Sequence, residues 1–103
     1  MDVYGALADP TRRSIVEVLT RGEMEAGAIA ARFDISRPAV SRHLRVLRES
    51  DLVHARKDGT KRLYRLEGHA LGEVAEWADR QRIFWNDRLD ALERHIERDE
   101  EQP

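Results

Sequence analysis

A mainly α fold with a small β element (α+β) follows from three features of the sequence. Apolar residues recur at helical spacing through most of the chain, the period switches to alternation around Asp58-Gly59, and residues 24–50 form two helical patterns joined by a tight connection. The predicted order is α-α-α-α-β-β-α: two short helices, a helix-turn-helix over 24–50, a hairpin over 52–66 and a long terminal helix over 69–98. Residues 1–98 then make one domain and residues 99–103 a frayed tail.

Composition narrows the class. At 103 residues, 41% hydrophobic and 37% charged, the chain suits one small domain rich in surface helix. It has no cysteine, which excludes disulfides, zinc-thiolate sites and thiol redox sensing. No apolar run approaches the roughly 20 residues needed to cross a bilayer. The start, MDVYGALADP, lacks the basic segment and apolar core of a signal peptide. No membrane association and a cytoplasmic location are therefore expected.

The net charge of −2 hides a strong asymmetry. Residues 36–66 hold nine Lys or Arg against three acids, for +6, whereas residues 67–103 hold five Arg against eleven acids, for −6. Local field steers a polyanion, so the basic block matters more than the total, and the acidic end is expected to face away.

The first helical pattern covers residues 2–8, with Val3, Tyr4 and Leu7 at the spacing of one face. Asp9 is the N-cap of the next helix and Pro10 fits its first position. Ile15, Val18 and Leu19 are its predicted core stripe, and Gly22 its stop. Arg12 and Arg13 are read as surface or salt-bridging residues rather than DNA contacts. Met24 to Phe33 forms a compact helix of small residues, in which Ala26, Ile29, Ala30 and Phe33 face its neighbours.

The following stretch, ISRPAVSRHLRVLRESDL, carries the chemistry. Ser36 is a good N-cap, and Pro38 loses nothing by lacking an N–H in the first turn. Val40, Leu44 and Leu47 make one apolar stripe; the opposite face carries Pro38, Ser41, Arg42 and Arg45, with Arg37 and Arg48 at its margins. Such a face suits the major groove of double-stranded DNA, because Arg bonds guanine bidentately while Ser and backbone N–H groups bond phosphate. His43 is either a groove-edge or a packing residue. A solvated basic face on an ordinary amphipathic helix is the plainer alternative, so the neighbours decide.

They do so through the hairpin. Strands at 52–57 and 61–66 flank Asp58-Gly59-Thr60, and Asp-Gly favours a tight turn because both residues tolerate positive φ. The tip carries Lys57, Lys61 and Arg62. A basic-tipped hairpin directly after a helix-turn-helix is the wing of a winged helix, and its cations are expected to hold flanking DNA backbone.

The terminal helix has two apolar stripes, one through Trp85, Leu89, Leu92 and Ile96 and one through Trp77, Phe84 and Ala91. Together they span roughly 160°, wider than the stripe of about 100° that packing on one core requires. A symmetric homodimer through Trp77, Phe84, Trp85, Leu89, Leu92 and Ile96, with Val3, Tyr4 and Leu7 contributing to the seam, accounts for the excess. A monomer with this helix folded back, or an apolar ligand lying against its aromatic residues, are the alternatives.

ALADPTRRSIVEVL, ISRPAVSRHLRVLRESDLV and KDGTKRLYRL together resemble the ArsR-type (ArsR/SmtB) family of winged-helix repressors, and within it the metal-free branch with a tryptophan-bearing last helix. The resemblance implies a homodimer joined by the first and last helices and a palindromic operator whose occupation blocks transcription. It puts the equivalents of Ser36, Arg37, Pro38, Ser41, Arg42 and His43 on the helix that enters the groove. The family's metal sensors use cysteines before that helix or Asp/His pairs on the last one. Here GEMEAGAIAARF has neither thiol nor His, and His95 with Asp99 is too small a set to close a zinc site. No cofactor and no metal are expected, and the small-molecule effector, if one exists, is not readable. An enzyme is not expected: Ser14, Ser36, Ser41 and Ser50 all have helix or cap roles, and no Gly-rich phosphate loop is present. The rival reading is a winged helix whose basic face docks an acidic protein; a variant of the main reading is a repressor released by an apolar ligand.

Overall fold

Helix caps and a short sheet set the frame of the computed structural model, which describes residues 1–101, the last two by backbone only. The elements are α1 (Val3–Ala6), α2 (Pro10–Leu19), β1 (Met24–Glu25), α3 (Ala26–Ala30), α4 (Arg37–Glu49), β2 (Val53–Asp58), β3 (Lys61–Leu66) and α5 (Gly68–Glu101). The winged helix-turn-helix class follows, with one addition: the sheet has three antiparallel strands in the order β1-β3-β2. Residues 24–25, expected to open a helix, instead pair with the wing, Met24 opposite Tyr64 and Glu25 opposite Leu63. Their local helix preference yields to the ladder hydrogen bonds and to the Glu25–Lys61 ion pair at 3.4 Å. The same pairing delays the start of α3 to Ala26, and at its other end the helix stops at Ala30 rather than Phe33, where Arg32 and Phe33 donate to carbonyls three residues back.

The chain divides into two units, Met1–Gly72 and Glu73–Pro103. In the first, Ile15, Leu19, Ile29, Val40, Leu44, Leu47 and Leu52 form the buried core, joined by Val53 and Tyr64 from the inner face of the wing. On α2 the buried third member is Val16, while Val18 is only half-buried, so the stripe is rotated by part of a turn from the predicted one. In the second unit the helix carries its large apolar residues exposed. It runs to Glu101, beyond the predicted end at Arg98; of the expected frayed tail, 102–103 lie outside the described residues.

Local chemistry explains the junctions. The Asp9 side chain accepts the Arg12 N–H at 2.9 Å and so caps α2. Arg12 and Arg13 then reach back to the carbonyls that α1 leaves open: Arg12 Nε donates to Ala6 O at 2.7 Å, and an Arg13 guanidinium nitrogen to Leu7 O at 2.7 Å. At the end of α4, Asp51 stands at φ 61°, Leu52 N–H donates to Leu47 O at 3.0 Å and Asp51 N–H to Arg48 O at 3.1 Å. This pair of bonds with a left-handed residue is a Schellman cap, closed by the buried Leu47 and Leu52. The wing turn differs from expectation by one residue. Asp58 pairs with Lys61 inside the ladder, leaving Gly59-Thr60 as the loop with Gly59 alone at positive φ.

Candidate nucleic-acid interface

The outward face of α4 is built as its periodicity requires. Val40, Leu44 and Leu47 are at most 1% exposed, which turns Pro38, Ser41, Arg42 and Arg45 to solvent, with Arg37 and Arg48 exposed at the edges. Ser36 caps the helix: its Oγ accepts the Ala39 N–H at 3.2 Å. Ser36 is itself exposed, so the first turn stays open to an anion.

His43 departs from this face. It is half-buried at the margin of the packed stripe and acts electrostatically on Asp9 at the start of α2.

Charge pairing sorts the nine basic residues of 36–66. Arg45 is paired with Glu49 at 3.2 Å, Arg56 with Glu23 at 2.7 Å and Lys61 with Glu25 at 3.4 Å. The Glu23 carboxylate raises the Arg56 pKa above its ordinary value, so Arg56 serves the sheet edge. Arg37, Arg42, Arg48, Lys57, Arg62 and Arg65 have no ion pair among the described residues. These six are the free cations of the helix-turn-helix and wing. Arg45 and Lys61 sit in exposed pairs worth at most about 1 kcal/mol, which a phosphate can displace.

Three residues outside the predicted set stand beside that face. Arg48, His54 and His69 line an open cleft of about 850 Å³ with Ser41, Arg45 and Arg62, between α4, the wing and the first turn of α5. Helix periodicity gave Arg48 a marginal place. The two histidines come together only through the hairpin register, which no local pattern encodes.

The residues expected at a dimer seam differ in availability. Val3 is 7% exposed and belongs to the core of its own unit, because α1 packs it inward with Ala6, and Leu7 is half-buried. Tyr4, Trp77, Phe84, Trp85, Leu89, Leu92 and Ile96 are all exposed, as is Ile83. Phe84 and Trp85 stack edge to face at 6.0 Å, and the Arg88 guanidinium lies 5.5 Å from the Phe84 ring centre. Among the described residues no three His, Asp or Glu gather as a metal-ligating set, and no helix is long and apolar enough to cross a membrane.

Comparison with known proteins agrees with this geometry. A family model described as a helix-turn-helix domain matches residues 7–56. The HTH-type transcriptional regulator Rv2034 of Mycobacterium tuberculosis is 45% identical over 80% of this chain and 74% of its own length. The transcriptional repressor SdpR of Bacillus subtilis is 37% identical over 74% of this chain and 84% of its own. The arsenical resistance operon repressor of Escherichia coli is 34% identical over 95% and 85%. Among solved structures, a possible transcriptional regulator for arsenical resistance superposes with TM-score 0.74 at 46% identity, covering 89% of this chain and 93% of that one. An ArsR-like transcriptional regulator from a Rhodococcus species gives 0.73 at 36%, covering 87% and 85%. With its cationic recognition helix, basic wing and relatives of this closeness, the chain belongs to the ArsR family of winged helix-turn-helix, DNA-binding transcriptional repressors.

Proposed function

We propose that this repressor acts as a homodimer on a twofold-symmetric operator. Two copies join through the exposed apolar stripe of α5, with Tyr4 of α1 adding to the seam, and the paired α4 helices enter successive major grooves about one DNA turn apart. Arg42 and Ser41, with Arg37 beside them, read base edges, and Arg45 lies on the same DNA-facing side. Ser36 and the open first turn of α4, whose backbone Pro38 pre-sets, meet phosphate, where the helix dipole favours negative charge. Lys57, Lys61 and Arg62 hold the flanking backbone or minor groove. A dimer seated on a promoter excludes polymerase, and this work is cytoplasmic.

The observation that carries the reading is the outward face of α4, where Arg37 and Arg42 are exposed with no ion pair among the described residues. Side chains that satisfy nothing inside the molecule, at helical spacing, on an element whose opposite side is fully buried, form a surface for an external anion. Selection of bound fragments from genomic DNA tests it. The expected result is an inverted repeat with half-sites centred about 10 base pairs, or a multiple of that, apart; recovery of fragments with no common sequence overturns the proposal.

A further inference from the structure

The cleft beside the recognition helix has an unusual charge balance. Three arginines line it, Arg45 and Arg48 from α4 and Arg62 from β3. Three carboxylates face them: Glu49 of α4, Asp51 of the helix cap and Glu67 before α5. Their formal charges cancel, and Arg45 and Glu49 are already paired at 3.2 Å. The remaining ionisable lining residues are His54 of β2, His69 in the first turn of α5 and the buried Tyr64. The net charge of the cleft is thus set by two imidazoles. Summed over the lining Arg, Asp, Glu and His it is zero when both are neutral and +2 when both are protonated; Arg65 of β3, directly opposite His54 in the ladder, is a further fixed cation beside that imidazole.

We infer that this cleft is a proton-linked phosphate site, in which His54 and His69 take up protons as a backbone phosphate of the bound DNA settles between α4 and the wing. This rests on the DNA-binding reading above and deepens it. Both imidazoles are exposed; His54 stands on the opposite face of β2 from Val53 and Ala55, and because β2 is the edge strand its imidazole reaches a phosphate oxygen over that open edge, while His69 does so from the first turn of α5. Histidine is the side chain that ordinarily changes charge between pH 5 and 8. An anion present only in the complex raises the proton affinity of a neighbouring imidazole there and not in the free protein. By linkage the complex binds protons, and operator affinity rises as the pH falls. The other histidines do not share this geometry. His43 lies at the packed margin of α4 near Asp9, and His95 is paired with Asp99 at 3.4 Å on α5.

The test uses the full chain and a labelled duplex recovered in the selection above, titrated at constant ionic strength between about pH 6 and pH 8. The wild type is expected to bind tighter at the acid end, by up to about tenfold for each imidazole whose proton affinity rises tenfold in the complex. Its salt dependence should steepen there by about 0.9 for each charge gained. The double variant His54→Gln, His69→Gln should match the wild type near pH 8 and lose both the rise and the steepening; His43→Gln should keep them. Calorimetry in buffers of different ionisation enthalpy should register proton uptake by the wild type and none by the double variant. A flat wild-type profile, or a rise that survives the double substitution, overturns the inference and leaves the repressor reading intact. Wild-type protein that binds the duplex at no pH overturns both.

Discussion

Asp9 and Arg42 do opposite kinds of work, one inside the molecule and one outside it. The Asp9 carboxylate is held below its ordinary pKa, chiefly by the Arg12 backbone N–H that it accepts, with the Arg12 and His43 charges adding to the effect. A carboxylate whose native pKa is depressed contributes stability in full above the ordinary value of about 3.9 and loses it as the pH falls through the lower native value. Asp9→Asn keeps a capping acceptor but cannot titrate. Near neutral pH the variant should be less stable by at most about 1 kcal/mol, the worth of an exposed charge at a helix start. That gap should narrow in urea titrations as the pH is taken down past the ordinary carboxylate value and through the lower native one. Arg42 has no such internal task. Arg42→Ala should leave the urea midpoint unchanged while costing roughly 1–3 kcal/mol in operator binding and relaxing preference at one base position. A uniform loss across all duplexes reassigns Arg42 to phosphate. Both residues were legible in the sequence, since N-cap chemistry and helical spacing are local. His43 was not resolved that way, because a residue at the edge of a stripe is sorted by what the neighbouring helix brings to it.

At the scale of elements, legibility followed length. α4 has thirteen residues and a clean apolar stripe, so its caps and outward face could be read directly. β1 has two residues, too few for any period, and its Met-Glu sequence favours helix when taken alone. Only its pairing with β3 makes it a strand, and that contact is long-range. One consequence reaches the wing. Because β1 brings Glu25 against Lys61 and Glu23 against Arg56, part of the hairpin's charge is already matched inside the unit. Arg62 carries no such partner among the described residues. Arg62→Ala should therefore flatten the salt dependence of DNA binding by about 0.9, the full value of one phosphate contact, and Lys61→Ala by less. Slopes of both variants equal to that of the wild type would remove the wing from the interface. The cleft between α4 and the wing was illegible for the same reason as β1. His54 and His69 are fifteen positions apart in the chain and come to line one cleft only once the hairpin register is fixed.

For the whole molecule, the question is what covers α5. Trp85 is 58% exposed, Leu89 57%, Leu92 54% and Ile96 49%, and these residues recur at three- and four-residue steps on one side of the helix. Burying that stripe at about 25 cal/mol per Å² favours association with a matching surface, and a second copy supplies one by symmetry. The sequence carries the same signal as an apolar arc too wide for one core. Trp85→Glu sets a charge in the middle of a stripe that is exposed and contributes nothing to the buried core, so each copy should still fold. Sedimentation at micromolar concentration should show a dimer for the wild type and a monomer for the variant. Operator affinity should drop by about 10²- to 10⁴-fold, because the second half-site is no longer engaged within the same complex. Ile83→Glu is the matched control. Ile83 is 57% exposed but lies well outside both apolar stripes on the helical wheel, so the same charge placed there should leave dimer and affinity unchanged. If Trp85→Glu sediments as an intact dimer, the seam lies elsewhere; if Ile83→Glu dissociates as well, added charge rather than a specific face governs association.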